Sequence, residues 1–248
     1  MSFSSFLARR SRLVVVAAMA SGAALVAGGV DAAPTSVEGS ATASQRAERL
    51  TPPTPPPAAS ATYTVTLAIT WDASTHPTTL PPNSHVSPPV VVTHGEVGDL
   101  FVRGAAASAG IERMAETGAT SQLRFEMAND PTVSSVQTGS SLFGSGERRF
   151  EVTVTTEAAL ASLVTMLAPS PDWFVGVRDV DLFAGGSWAD EVTVELRNYD
   201  AGTDSGPDFT SPNADTQPAV AIGGPRDAAF VAAAAEGSFG SVTFVRTG

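Results

Sequence analysis

Two long segments alternate between apolar and polar residues. One runs from Tyr63 to Trp71 and the other from Phe150 to Thr155. An apolar side chain at every second position is typical of a strand that buries one face and exposes the other. Five shorter segments combine β-branched or aromatic residues with turn residues at their ends, and we expect further strands there: 90–93, 173–177, 180–183, 191–197 and 241–246.

Helical periodicity is confined to the middle of the chain. Ile111, Met114 and Ala115 recur at spacings of three and four, and Gly118 stands where a helix C-terminus is often capped. A second short apolar stretch ends before an Asn-Asp-Pro sequence, which disfavours helix. We expect helices over residues 107–117 and 121–128.

The segment from Leu160 to Ala168 is apolar almost throughout. Over so short a run, periodicity does not separate a buried strand from a buried helix. The strand before it and the Pro-Ser-Pro sequence after it favour a strand. Many short strands with one small helical insertion predict a mainly β fold, an antiparallel β-sandwich.

The N-terminal region has the features of a secretory signal. Arg9, Arg10 and Arg12 precede an uncharged apolar stretch, and a small-residue cleavage site ends at Ala32. We therefore assign residues 1–32 to a signal peptide and expect a secreted protein, extracellular or periplasmic. The alternative is an uncleaved anchor, because an apolar stretch of ~18 residues just reaches the length of a membrane span.

Residues 33–61 consist largely of Ala, Ser, Thr and Pro, with almost no large apolar side chain. Such a segment buries too little surface to offset its ordering entropy, so we expect a disordered linker. The folded domain is predicted to span residues 62–248.

The net charge of the chain and its lack of lysine and cysteine exclude several classes of function. The net charge of the chain is -11, and an acidic protein is repelled by nucleic acid and by anionic lipid. We therefore expect no nucleic-acid partner and no membrane insertion of the mature domain. The chain has no lysine and no cysteine, which excludes a Schiff-base lysine, a Walker-A loop, disulfides and cysteine zinc sites.

Three aspartates lie in turns rich in glycine and proline, beside aromatic residues that we expect to be buried. They are Asp172, Asp200 and Asp204. Carboxylates held in turns by a hydrophobic frame are how a β-rich domain presents oxygen ligands to Ca²⁺. The alternative is that each aspartate accepts hydrogen bonds from its own turn.

Other polar residues form weaker patterns. The three histidines, His76, His85 and His94, have no metal-ligand spacing, and we expect them to be solvated in loops. Asp179 and Asp181 are a candidate carboxylate pair for glycoside hydrolysis, although both fall on one face of a predicted strand. No Gly-x-Ser-x-Gly nucleophile motif is present.

Four sequence strings resemble the spondin N-terminal domain family. They are PSPDWFVGV at 169–177, VDLF at 180–183, YDAGTDSG at 199–206 and GIERMAETG at 110–118. The resemblance covers about residues 62–247 and implies a β-sandwich similar to C2 domains, with a Ca²⁺ site in loops at one end. It implies that Asp172 and Asp200 are metal ligands, joined by an upstream glutamate for which Glu151 is the candidate. Asp204 is the next acid in the same loop.

The family is secreted and works in adhesion and matrix recognition. The resemblance therefore implies a secreted Ca²⁺-binding module, not an enzyme, that binds an extracellular or cell-surface protein or glycan. The signal sequence and the absence of lysine suggest a bacterial member. Two alternatives stay open: an extracellular hydrolase with paired carboxylates, and a structural domain without an ion.

Overall fold

The structure, a computed structural model, describes residues 58–248. The predicted signal peptide, the alternative anchor and nearly all of the predicted linker lie outside the described residues. Within the described part of the chain, no helix is long and apolar enough to cross a membrane. The first strand begins at Ser60, two residues before the predicted start of the domain.

The described residues form three helices and thirteen strands. The helices are α1 (Ala109–Thr117), α2 (Ser121–Ala128) and α3 (Ala228–Glu236). The strands are β1 (Ser60–Ile69), β2 (His85–Val86), β3 (Val90–His94), β4 (Val133–Thr138), β5 (Leu142–Phe143), β6 (Gly146–Thr155), β7 (Leu160–Ala168), β8 (Trp173–Asp181), β9 (Phe183–Ala184), β10 (Ser187–Trp188), β11 (Glu191–Glu195), β12 (Arg197–Asp200) and β13 (Gly240–Arg246).

Two sheets of antiparallel strands account for most of the fold. The first has the order β11-β13-β1-β6. In the second, β12, β8 and β7 lie side by side, and the far edge of β7 pairs with β3 along one part and with β2 along another. Strand β4 then pairs with β3, and β5 with β2. The predicted β-sandwich is confirmed.

The main core lies between the two sheets. The first sheet contributes the alternate inward residues of β1, including Tyr63, Val65 and Leu67, which are fully buried. Trp173 and Val175 on β8 pack against them from the second sheet. Strand β1 therefore has one buried and one outward face, as its alternating sequence predicts.

A second core covers the other face of the second sheet. Ile111 and Met114 of α1 and Leu123 of α2 pack against strand residues that include Val164 and Phe174. Strand β7 is therefore buried on both faces, which explains why its sequence is an unbroken apolar run. The prediction of a strand rather than a helix for this segment is confirmed.

Helix α3 and strand β4 are the longest of the elements that the pattern did not predict. Helix α3 escapes detection because it is rich in alanine and buries only Phe230 and Ala233, which leaves almost no apolar periodicity. Strand β4 is largely polar and pairs on one side only, with β3. The two helices predicted in the middle of the chain are confirmed.

The expectation that all three histidines are solvated is wrong for two of them. His94 is completely buried, with Nε2 2.8 Å from the Ser162 hydroxyl and Nδ1 2.8 Å from the Glu96 carbonyl oxygen. His76 is also buried, and its ring lies 4.7 Å from that of Phe239. Hydrogen bonds at both ring nitrogens compensate the lost hydration of His94, whereas His76 Nε2 is buried without a hydrogen-bond partner among the described residues.

Candidate metal site

Strand pairing brings two of the predicted ligands together. Asp172 immediately precedes β8, and Asp200 is the last residue of β12. Because the register places Asp200 opposite Trp173, both aspartates lie at the same end of the second sheet. Asp204 follows in the next loop, and the three are 0%, 3% and 6% exposed in the same order.

Asp172 is anchored through only one of its carboxylate oxygens. Its Oδ2 accepts hydrogen bonds from the backbone N–H groups of Thr203, at 2.7 Å, and Asp204, at 3.2 Å. Its Oδ1 is buried and has no hydrogen-bond partner among the described residues. A buried carboxylate oxygen without a partner is costly, and such a group calls for an explanation.

The other two aspartates bind the turn that follows each of them. Asp200 Oδ1 accepts from the Gly202 N–H at 2.9 Å and also contacts the Arg226 guanidinium. Asp204 Oδ1 accepts from the Gly206 N–H at 2.7 Å, and its Oδ2 accepts from the Ala214 N–H at 3.0 Å. The bonds from Gly202 and Gly206 are the turn-capping arrangement that the sequence left open as an alternative.

The loop between β12 and α3 folds back on itself around these acids. The N–H of Val220 donates to the Gly202 carbonyl at 2.8 Å, and that of Thr216 donates to the Thr203 carbonyl at 2.8 Å. Gly202 has φ +77°, and a Cβ there would lie 2.4 Å from the Val220 carbonyl oxygen. Glycine is therefore required at this position, both for its backbone conformation and for space.

Burial and, after it, neighbouring negative charge raise the pKa of two of the carboxyl groups. Burial raises the pKa of Asp172, and the charge of Asp204 raises it further against hydrogen bonds from Thr203 and Asp204. Burial, followed by the charge of Asp172, raises the pKa of Asp200 to about 7 although Arg226 opposes the shift. The ionised carboxylates therefore repel one another, and a bound cation would reduce that repulsion.

A fourth acid, Glu116 of α1, lies near this cluster. Burial raises its pKa most, a hydrogen bond with Thr203 opposes the shift, and the charges of Glu112, Asp204 and Asp172 add to it. The residue lies in the string that resembles the family's helix. The sequence did not single it out, because helical periodicity does not show which loop a helix approaches.

Glu151, the upstream candidate, is not brought to the cluster. It lies on β6 of the first sheet, opposite Thr64, and its side chain is exposed. Its neighbours Phe150 and Val152 face the main core, so alternation turns Glu151 outward. The expectation for this residue is corrected: Glu116, not Glu151, is the glutamate near the three aspartates.

The aspartate cluster offers the right chemistry for a hard cation without being a closed set of ligands. Within residues 58–248, no three Asp, Glu or His side chains are arranged as a complete metal site. The available donors are carboxylate oxygens, which Ca²⁺ prefers, and the orphaned oxygen of Asp172 lies among them. A Ca²⁺ ion here would require the Asp200 and Asp204 carboxylates to turn away from their present hydrogen-bond partners and toward the ion.

Buried aromatic rings support the loops that carry the acids. Trp173 stacks on Phe230 with ring centroids 4.7 Å apart, and it meets Phe209 edge-on at 4.9 Å. Phe209 also packs against Trp71 at 5.9 Å. The predicted burial of Trp173, Phe174, Trp188, Tyr199 and Phe209 is confirmed.

The candidate carboxylate pair for hydrolysis is not supported. Asp179 has φ +56° and accepts a hydrogen bond from the Gly98 N–H at 2.8 Å. Asp181 is exposed and accepts from the Phe183 N–H at 2.9 Å. The two carboxylates are thus held by separate backbone segments.

Comparison with known proteins gives one consistent family. The Spondin_N family model matches residues 61–227. Spondin-2 of Rattus norvegicus is 32% identical over 168 residues, which is 64% of this chain and 50% of that protein. Spondin-1 of Gallus gallus is also 32% identical over 168 residues but is covered over 21% of its length. The chain thus spans about half or less of these relatives.

The matched region runs from β1 to the loop before α3 and contains all four acids of the cluster, whereas α3 and the first-sheet strand β13 lie beyond it. The relatives are animal proteins, so the bacterial source stays a prediction. The match and the β-sandwich agree with each other, and the chain belongs to the spondin N-terminal domain family.

Proposed function

We propose that this spondin N-terminal domain is an extracellular binding module whose loops are organised by Ca²⁺. Asp172, Asp200 and Asp204 would supply carboxylate oxygens, with Glu116 as a fourth acid. The observation that carries the proposal is the buried Asp172 Oδ1, which lacks a partner among the described residues. A bound cation is the simplest partner for this oxygen in a region crowded with negative charge.

The ion would act by neutralising the cluster and stiffening the loop from Ala201 to Ile222. That loop already closes on itself through backbone hydrogen bonds. A stiff loop loses less conformational freedom when it binds a partner, so the ion would strengthen binding without contacting the partner. The partner would be an extracellular or cell-surface protein or glycan.

The test is a calcium titration followed by thermal unfolding and by isothermal calorimetry. Calcium should raise the melting temperature of the metal-free protein, with a Kd of roughly 10⁻⁴–10⁻³ M or tighter, as for other extracellular modules. The double variant Asp172→Asn with Asp200→Asn should lose the rise. The matched control is Asp208→Asn with Asp215→Asn, two exposed acids of the same loop region.

The control variant should keep the full response, because it carries the same charge change outside the cluster. An equal temperature rise in the Asp172→Asn and Asp200→Asn variant would place any calcium site elsewhere and refute the proposal.

A structural domain without an ion is the second candidate, and Arg226 favours it. Its guanidinium contacts the Asp200 carboxylate, and so supplies a positive charge from within the chain. The backbone bonds to Asp204 also satisfy that carboxylate without a metal. In this case calcium would change neither the melting temperature nor the fluorescence of Trp173.

A further inference from the structure

Three arginines from separate parts of the fold line one pocket. Arg103 lies in the segment before α1, Arg178 on β8 and Arg197 at the start of β12. The pocket has a volume of about 820 Å³, and Tyr199 also lines it. This volume falls within the range of small-molecule sites, roughly 300–1,000 Å³.

Strand register explains why two of these side chains converge. Arg197 lies directly opposite Gly176, which is two positions before Arg178 on the neighbouring strand. Side chains two positions apart on a strand share a face, so Arg178 and Arg197 rise from the same side of the second sheet. Gly176 itself lies tightly against β7, because a Cβ there would be 2.2 Å from the Leu163 carbonyl oxygen.

The aromatic residues of the second core hold part of the cluster in place. The Arg178 guanidinium carbon lies 5.9 Å from the centre of the Phe101 ring. Phe101 in turn meets Tyr199 edge-on at 4.9 Å and Phe174 at 5.3 Å. A guanidinium that packs on an aromatic face is oriented before any ligand arrives.

The three arginines have few acidic partners. Ion pairs among the described residues include neither Arg103 nor Arg197, and Arg178 reaches only Asp179, at 3.8 Å. Asp179 and Glu195 are the acids that line the same pocket. Three guanidinium groups against two carboxylates leave a local excess of positive charge on a strongly acidic protein.

The charges of all three arginines and of Asp179 affect the pKa of the Tyr199 phenol. Burial raises its pKa above the ordinary value, whereas Arg178, Arg197 and Arg103 each lower it and Asp179 raises it. All three guanidinium groups therefore act on one point of the pocket.

We propose that this pocket binds the anionic group of a small ligand: a carboxylate, sulfate or phosphate. Planar guanidinium groups donate paired hydrogen bonds to such oxyanions, and the pocket offers three of them around one phenol. This site is distinct from the aspartate cluster and does not depend on calcium.

The experiment compares three anionic groups on the same sugar. The probes are glucuronate for a carboxylate, glucose 6-sulfate for a sulfate and glucose 6-phosphate for a phosphate, and glucose is the neutral control. Binding to the full-length protein is measured by calorimetry at constant ionic strength. At least one anion should bind in the millimolar range or tighter, and glucose should not. Failure of all three anions to bind better than glucose would overturn the proposal.

The variant Arg103→Gln with Arg197→Gln should weaken binding of the best anion by about tenfold or more, the loss of charge-assisted hydrogen bonds. Both side chains are exposed, so the fold should survive, which thermal unfolding checks. The matched control is Arg113→Gln with Arg149→Gln, exposed arginines outside the pocket. Unchanged binding in the first variant, or an equal loss in the control, would contradict a defined site.

Discussion

The Asp200 carboxyl group makes the stability of the metal-free domain depend on pH. Its pKa rises from 3.8 to about 7 on folding, chiefly through burial and then through the charge of Asp172. Between these values the folded state holds a proton that the unfolded state has released. The stability that this group contributes is therefore fully present below about pH 4 and is lost as the pH rises toward 7.

Urea unfolding of the metal-free protein should show this decline between about pH 4 and about pH 7. The variant Asp200→Asn cannot ionise at this position and should show a flatter profile. Asp208→Asn, an exposed acid in the following loop, is the control and should keep the decline. A profile that stays equally steep in Asp200→Asn would mean that other groups cause the pH dependence.

Helix α1 brings Glu116 to the aspartate cluster, and this placement has a measurable consequence. If Glu116 is a fourth acid of a Ca²⁺ site, Glu116→Gln should weaken calcium binding by roughly three- to tenfold, because one charged donor is lost. The control is Glu112→Gln, which makes the same charge change one turn earlier on α1. Equal effects of both changes in calorimetry would show that Glu116 acts only through its long-range charge.

Helix α3 closes the aromatic frame behind the acidic loops. Phe230 is fully buried and stacks on Trp173, the residue next to Asp172. Replacing it with alanine removes a large core side chain and leaves a cavity, so Phe230→Ala should cost about 3–5 kcal/mol of unfolding free energy. Val231→Ala, a change at a side chain that is 48% exposed, should cost far less.

Chemical denaturation measures both variants. Similar stabilities for Phe230→Ala and the wild type would mean that α3 is not part of the cooperative core.

The start of the folded unit can be tested on the whole domain. Strand β1 begins at Ser60, and Ala61 is buried in the main core. The Trp188 indole N–H also donates to the Ala58 carbonyl at 2.8 Å. A chain that begins at residue 62, the boundary predicted from composition, loses these contacts.

A truncated protein that begins at residue 58 should therefore be more stable than one that begins at residue 62, by about 1–3 kcal/mol. Thermal and urea unfolding of the two proteins give the comparison. Equal stability would show that the first two residues of β1 contribute nothing to the sheet.

Most strands and the first two helices follow from local patterns. Alternation marked β1 and β6, spacings of three and four marked α1, and the strings around Asp172 and Asp200 marked the candidate site. The pattern failed for α3, whose alanines carry no periodicity, and for β4, which is mostly polar and lies at an edge. In both cases the missing signal is a buried apolar face, the property that periodicity measures.

The sequence by itself determined the family, the sandwich class and the aspartates of the candidate site, because each is encoded in short strings or local periods. Only the tertiary structure decided which side chains meet. Pairing of β8 with β12 placed Asp172 beside Asp200, and packing of α1 on the second sheet placed Glu116, not Glu151, near them. Such contacts join residues far apart in the chain, and no local pattern encodes the pairing and packing that create them.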